Sequence, residues 1–229
     1  MGRLPARPRP ARTSTKRTGL FITLEGGEGA GKSLQAAALA RRLKRAGLAI
    51  VRTREPGGTP LGERLRDIVL GLSSRGAPPL DPLTETLLFV AARAELVASV
   101  IAPALARGDA VLCDRFGDST LAYQGFGRGV DLATIERLNT IATRGLRPQL
   151  TVLLDLPVEE GLTRTRGAGQ ADRFGRESLA FHRRVRRGYR TLAAREPQLW
   201  LMIDGRQDLK VITEKIWRRI EVLLGRRLG

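Results

Sequence analysis

The octapeptide Gly26-Gly27-Glu28-Gly29-Ala30-Gly31-Lys32-Ser33 fits the spacing G-x-x-x-x-G-K-[ST], and it lies between an apolar run, Leu20 to Leu24, and a long alanine- and leucine-rich stretch. Strand, loop and helix N-terminus are therefore predicted in the order a phosphate-binding loop needs. Glycines let successive backbone N–H groups turn inward as an anion nest, and the following helix adds its positive dipole end. The expected guest is a di- or triphosphate. Lys32 is placed to reach its outer phosphates, and the Ser33 hydroxyl to ligate Mg²⁺.

The remainder of the chain alternates between strand-like and helix-like segments. Apolar runs at Leu20–Leu24, Ala49–Thr53, Ala110–Cys113, Leu150–Leu156 and Trp200–Ile203 read as strands. Helices are predicted near Lys32–Ala46, Leu61–Leu70, Leu83–Ala106, Leu132–Arg144, Val158–Arg166, Ser178–Ala194 and Leu209–Leu224. Gly47 is a C-terminal stop and Asp131 an N-cap. Such alternation implies an α/β fold of three layers, a central five-stranded parallel sheet with helices on both faces. Ligands then bind beyond the carboxyl ends of the strands.

The 229 residues, 42% hydrophobic, suffice for one α/β domain, expected over residues 19–229. A single cysteine, Cys113, excludes an intrachain disulfide and a cysteine metal cluster, and fits a reducing, cytoplasmic setting. A single histidine, His182, excludes a His-based triad or multi-His metal site. The longest apolar stretch, Leu87 to Ala106, is broken by Arg93 and Glu95, so no membrane association is expected. The net charge of +17 invites a nucleic-acid reading, but its distribution argues otherwise. The excess sits in residues 1–19, in the ten arginines between Arg164 and Arg195, and beyond Lys210, which leaves the body of the chain nearly neutral. Only ten aromatic residues are present, and they do not form the base-stacking platform such recognition uses, so specific nucleic-acid recognition is not expected. Residues 1–18 read as a disordered basic tail. Pro5, Pro8 and Pro10 would break the amphipathic helix of a transit peptide, and Ala6 stands where a myristoylation signal needs Ser or Thr.

Two further motifs fall at strand carboxyl ends. Arg54-Glu55-Pro56-Gly57-Gly58-Thr59 forces a tight loop and holds a charged pair after the second strand, although a solvated pair beside a turn would look the same. Asp114-Arg115-Phe116 ends the third strand, where a phosphate-loop enzyme keeps its second metal-organising carboxylate. Arg115 beside it can hold a phosphate bidentately. Phe89 and Arg93, one helical turn apart, share a face, a spacing that a core Phe and a surface Arg would also show.

Taken together, Phe21 to Ser33, Thr53 to Thr59, Leu88 to Arg93, Asp114-Arg115-Phe116 with Ser119-Thr120 and Ala122-Tyr123-Gln124-Gly125, and Pro148 through Asp155 resemble the bacterial thymidylate kinases, in order, over about residues 19 to 225. The resemblance implies transfer of phosphate from ATP to dTMP, with Mg²⁺ and usually a homodimer. It assigns ATP binding to Gly26, Gly27, Glu28, Gly29, Ala30, Gly31, Lys32, Ser33 and Leu34, and the metal to Ser33 and Asp114. It assigns dTMP binding to Arg54, Glu55, Pro56 and Arg115, with Arg54 and Arg115 on the phosphate, and to Phe89 stacked on thymine with Arg93 at a base carbonyl. Ser119, Thr120 and Gln124 lie near the base, Glu28 near the 3′-hydroxyl and Tyr123 beneath the sugar. Gly29 stands where one group of these kinases carries a basic residue, so the resemblance implies supply from a mobile lid, about residues 164–176. Lys32, Arg115, Arg166 and Arg173 are the catalytic candidates, with Arg164 a third choice in the lid. Ala168 and Gly175 depart from related lids, which leaves the choice of lid arginine open. Another phosphate-loop nucleoside monophosphate kinase, or a nucleic-acid-stimulated ATPase, shares the loop and remains an alternative.

Overall fold

A computed structural model describes residues 19–71, 79–167 and 173–225, with Arg166 and Gly167 described by backbone alone. The basic tail 1–18 and the lid segment 168–172 lie outside the described residues. The strands are β1 Leu20–Glu25, β2 Ile50–Arg54, β3 Ala110–Asp114, β4 Leu150–Asp155 and β5 Trp200–Asp204. They form one parallel sheet in the order β2-β3-β1-β4-β5. Each matches a run expected from sequence within a residue or two.

Strand alternation on β1 divides the core. Leu20, Ile22 and Leu24 face α1 (Lys32–Arg45) and α9 (Leu209–Gly225), meeting Leu39, Leu43, Ile216 and Trp217. Phe21 faces the other way, against Leu96, Val97 and Ile101 of the helix that begins as α3 (Pro82–Leu96). Two-sided burial is why β1 reads as continuously apolar. Glu25, on the Phe21 face and fully buried, ends this strand at the site.

The helix expected over 83–106 is interrupted. After α3 comes a π-turn, Val97–Ile101, before α4 (Ala102–Ala106) resumes. Pro103 has no N–H to give the carbonyl of Ser99, and the ladder widens just before it. The 82–106 segment is long and apolar enough to cross a membrane, yet in the fold it packs on α2 (Pro60–Leu70), α6 (Leu132–Thr143) and the sheet. Between β3 and α6 lie α5 (Gly117–Thr120) and a second π-turn, Leu121–Gly127, neither legible as a helix beforehand. After β4, α7 (Val158–Gly167) leads toward the lid. A 3₁₀ turn at Phe174–Arg176 then precedes α8 (Leu179–Arg195). That last helix buries Phe181, Val185, Tyr189 and Leu192 and leaves Arg183, Arg187 and Arg190 exposed, as a solvated basic face requires.

Candidate active site

The loop between β1 and α1 is shaped by its glycines. Gly26, Gly29 and Gly31 have φ of 141°, 65° and 88°, in the region that L side chains rarely adopt. At Gly29 a Cβ would also lie 2.2 Å from the Gly161 carbonyl, so the loop and α7 meet backbone to backbone. A basic side chain cannot grow from position 29 without moving the stem of the lid. Gly31 caps α1 without a side-chain acceptor, which leaves the first N–H groups of the helix available to an anion.

Lys32 Nζ donates to the carbonyls of Gly26 and Gly27 at 3.1 and 2.9 Å. Burial, reinforced by the neighbouring Arg115 guanidinium, lowers its pKa to about 8. Ser33 Oγ donates to Asp114 Oδ2 at 2.6 Å, joining the two expected metal residues across 81 positions of sequence. A hydroxyl and a carboxylate are hard oxygen donors that suit Mg²⁺, which takes one or two protein oxygens and completes its shell with phosphate and water. No cluster of three or more acidic, His or Cys ligands exists among the described residues.

Arg115 sits at positive φ, 68°, unusual for a residue other than glycine and a sign of local constraint. Its guanidinium donates to Gly26 O at 3.1 Å, Glu28 Oε1 at 3.0 Å, and the hydroxyls of Tyr123 and Tyr189 at 3.0 and 3.1 Å. Glu28 also accepts from Tyr123 at 2.7 Å. Burial works to raise the Glu28 pKa, but Arg115 and Lys32 outweigh it and hold the carboxyl at about 2. Glu25 anchors the other side of this network, accepting from Phe116 N, Ser119 Oγ and Tyr189 OH. Arg54 stands apart, half exposed and paired with Glu63 at 2.9 Å.

Arg93, expected at the surface or against a base, is 1% exposed. It grips Glu55 through Nε and Nη2 at 2.9 and 2.5 Å. Nη2 further donates to Thr120 Oγ1 and Phe116 O, and Nη1 to Asn139 Oδ1. Of five N–H donors, one on Nη1 remains for a ligand. Burial pushes the Glu55 carboxyl up to about 7 against the pull of Arg93.

These residues surround one cavity of about 670 Å³ at the carboxyl ends of the strands. Its walls include every residue from Glu28 to Leu34, together with Arg54, Glu55, Pro56, Phe89 and Arg93. Asp114, Arg115, Ser119, Thr120, Tyr123 and Gln124 complete the set, while Gly26 and Gly27 lie behind the loop and contribute carbonyls. Arg164 lines the same space and donates to Gly205 O. The Arg166 side chain lies outside the described residues. Arg173 is not beside the phosphate loop: its guanidinium pairs with the buried Glu85, and its N–H donates to Leu70 O at the end of α2. Phe174, next to it, packs into the cavity wall 6.0 Å from Phe89 and 5.6 Å from Tyr123 between ring centroids. Sequence reading missed Glu25, Glu85, Asn139, Phe174 and Tyr189. Only Glu85 carried a usable signal, its place four residues before Phe89 on the same helical face.

A parallel sheet in this order, with a glycine-shaped anion loop at its carboxyl edge and a second arginine cluster across a shared cavity, defines a phosphate-loop enzyme of two nucleotide ligands. The chain matches the family model for thymidylate kinase over residues 24–216. It is 56% identical over 198 residues to a thymidylate kinase of Synechococcus sp. (strain JA-3-3Ab), covering 86% of this chain and 93% of that one. It is 51% identical to a thymidylate kinase of Deinococcus radiodurans, over 88% and 96% of the two chains. The crystal structure of thymidylate kinase from Ehrlichia chaffeensis superposes with a TM-score of 0.71 at 32% identity, over 89% of this chain and 98% of that one. The chain belongs to the thymidylate kinase family, and it is a kinase of the phosphate-loop class.

Proposed function

We propose that the chain transfers the γ-phosphoryl group of ATP to dTMP with Mg²⁺, in the cytoplasm, through the residues assembled around this cavity. The observation that carries the reading is the shared cavity itself. One end is the anion loop with Lys32, and the other is the Phe89–Arg93 face, with Arg115 between them. A nucleotide phosphate oxygen is already anionic at neutral pH, so no general base is required. The protein's task is to align two polyanions and offset the charge that develops between them. Lys32 leaves the carbonyls of Gly26 and Gly27 for the transferred phosphate. Arg115, oriented by two tyrosine hydroxyls and Glu28, holds the acceptor phosphate with Arg54. Bound beside Ser33 and Asp114, Mg²⁺ would supply further charge neutralisation.

Phe89 stacks on the base, and the spare Nη1 donor of Arg93 reaches a base carbonyl. Glu28 and Tyr123 face the sugar, with Ser119, Thr120, Glu55 and Pro56 forming the floor. Arg166 is the lid cation of choice, with Arg164 as its partner. Arg173 reaches the phosphates only by giving up Glu85. Residues 19–229 act as one domain with the lid near 164–176. Exposed apolar side chains, Leu61 and Ile68 on α2, Leu83 and Leu87 on α3, and Ile141 on α6, mark the face proposed for a homodimer. Coupled ADP-release assays with dTMP, other nucleoside monophosphates and DNA test the assignment. Turnover with dTMP far above the rest is expected, and stimulation by DNA with no response to dTMP would refute it.

A further inference from the structure

The carboxylate of Glu85 is 1% exposed on the first turn of α3, and no motif assigns it a role. Four residues before Phe89 and eight before Arg93, it shares the face that those residues present to the cavity. Three donors converge on it: Gln124 Nε2 at 2.8 Å, Arg128 Nε at 3.3 Å, and the Arg173 guanidinium. With two guanidiniums aimed at its oxygens, the Glu85 carboxyl meets its neighbours as a hydrogen-bond acceptor. A carboxamide that meets such a group must turn its NH₂ toward it.

The orientation of Gln124 is therefore fixed by charge. Its carbonyl Oε1 is left as the free group, and among the described residues no donor reaches it. Gln124 is itself 1% exposed and lines the cavity with Phe89. We propose that Glu85 is a positioning residue for base selectivity: it presents the Gln124 carbonyl, rather than the amide NH₂, to the edge of the bound pyrimidine. Thymine and uracil carry an N–H at N3 and can donate to that oxygen. Cytosine carries a lone pair at N3, which would face the oxygen acceptor to acceptor in a buried site. The inference rests on the placement of the base against Phe89.

The test is the ratio of kcat/KM for dTMP to that for dCMP. Gln124 and Arg128 meet Oε1 of Glu85, and Arg173 meets Oε2. In Glu85→Gln the single carbonyl oxygen is held at the Oε2 position by Arg173, while Arg128 keeps Glu177, so the new NH₂ takes the Oε1 position and faces Gln124. Gln124 then turns, and offers NH₂ to the base. The ratio should fall about tenfold or more, whereas Arg173→Gln, which removes one guanidinium from the same carboxylate, should leave the ratio within about twofold of wild type even if turnover drops. A loss confined to structure or lid closure lowers both substrates alike and cannot move the ratio. An unchanged ratio in a folded Glu85→Gln variant would overturn the proposal.

Should that variant not fold, the wild type supplies the measurement. The Gln124 side-chain amide protons should exchange slowly with water in the ligand-free protein and gain no further protection when dTMP is added. Fast exchange that slows only once dTMP is bound would mean that the NH₂ meets the base and would equally overturn it. Phe89→Ala separates the two levels: normal kcat/KM for dTMP in that variant would refute the base placement, whatever the Glu85 result.

Discussion

The two ends of the cavity are built on opposite electrostatic principles. At the phosphate end, burial and the nearby Arg115 guanidinium disfavour the charge of Lys32, which is left with two loop carbonyls as its hydrogen-bond partners. At the base end, Arg93 is held by Glu55, Thr120, Asn139 and the Phe116 carbonyl with one Nη1 donor to spare, and Glu85 by Gln124, Arg128 and Arg173. One end holds a lysine whose hydrogen bonds go only to carbonyls until a polyphosphate arrives. The other is a finished network that a base only has to touch. Removing a charge from the first should cost catalysis, while removing one from the second should cost the fold as well.

The largest expected effect is at the first end. Lys32→Ala should lower kcat by about 10³-fold or more, since it removes a charge aimed at the transferred phosphate. Because that charge is poorly solvated in the ligand-free protein, Tm should not fall. A fall of several degrees would place Lys32 among the structural residues. Arg93→Ala should behave in the reverse way, destabilising the protein by about 3–5 kcal/mol in urea titrations, because it breaks the buried pair with Glu55 and strips Thr120, Asn139 and the Phe116 carbonyl of their donor. Arg93→Lys should not restore stability, since a point charge cannot reproduce the two-pronged grip. If Arg93→Ala unfolds at the wild-type midpoint, the base end is not the finished network described.

Much of the phosphate end was legible in sequence because it is local. Loop, lysine and serine are contiguous, and Asp114-Arg115 stands at the end of an apolar run whose strand pairs directly with β1. The strands were legible for a similar reason: burial on both faces leaves short, uninterrupted apolar runs. The base end was hidden by distance. The Arg93–Glu55 pair spans 38 positions and the Arg173–Glu85 pair 88, so nothing near either residue announces its partner. Arg93 accordingly had two open readings, a base contact or a surface side chain, and neither included the buried pair. The Gly117–Gly127 helical turns escaped notice because three glycines within eleven residues erase apolar periodicity, and Pro103 split a helix that periodicity alone made continuous.

The contact between the phosphate loop and the lid stem is tested at Gly29. A methyl group there meets the Gly161 carbonyl and a positive φ together, so Gly29→Ala should cost roughly 1–3 kcal/mol of stability. It should also lower kcat, by pushing α7 and the lid stem away from the loop. Unchanged Tm and kcat would show that loop and stem are not coupled.

The smallest effect is graded by pH. Lys32 titrates near 8 before ligand binds, and phosphate favours its charged form, so binding above that pH requires proton uptake. ATP affinity should therefore be level below pH 8 and weaken above it by up to about tenfold per unit, roughly 1.4 kcal/mol. Titration calorimetry in two buffers of different ionisation enthalpy reads the proton directly. Affinity that is flat from pH 7 to 10 would remove the charge deficit assigned to Lys32.

The separation of the two ends is measured most directly by titrating dTMP into ligand-free Lys32→Ala. If the phosphate end supplies catalysis and the base end supplies recognition, the Kd for dTMP should stay within a few-fold of wild type while turnover is lost. If dTMP binding disappears together with turnover, the two ends are one site, and the division of labour drawn from their geometry is wrong.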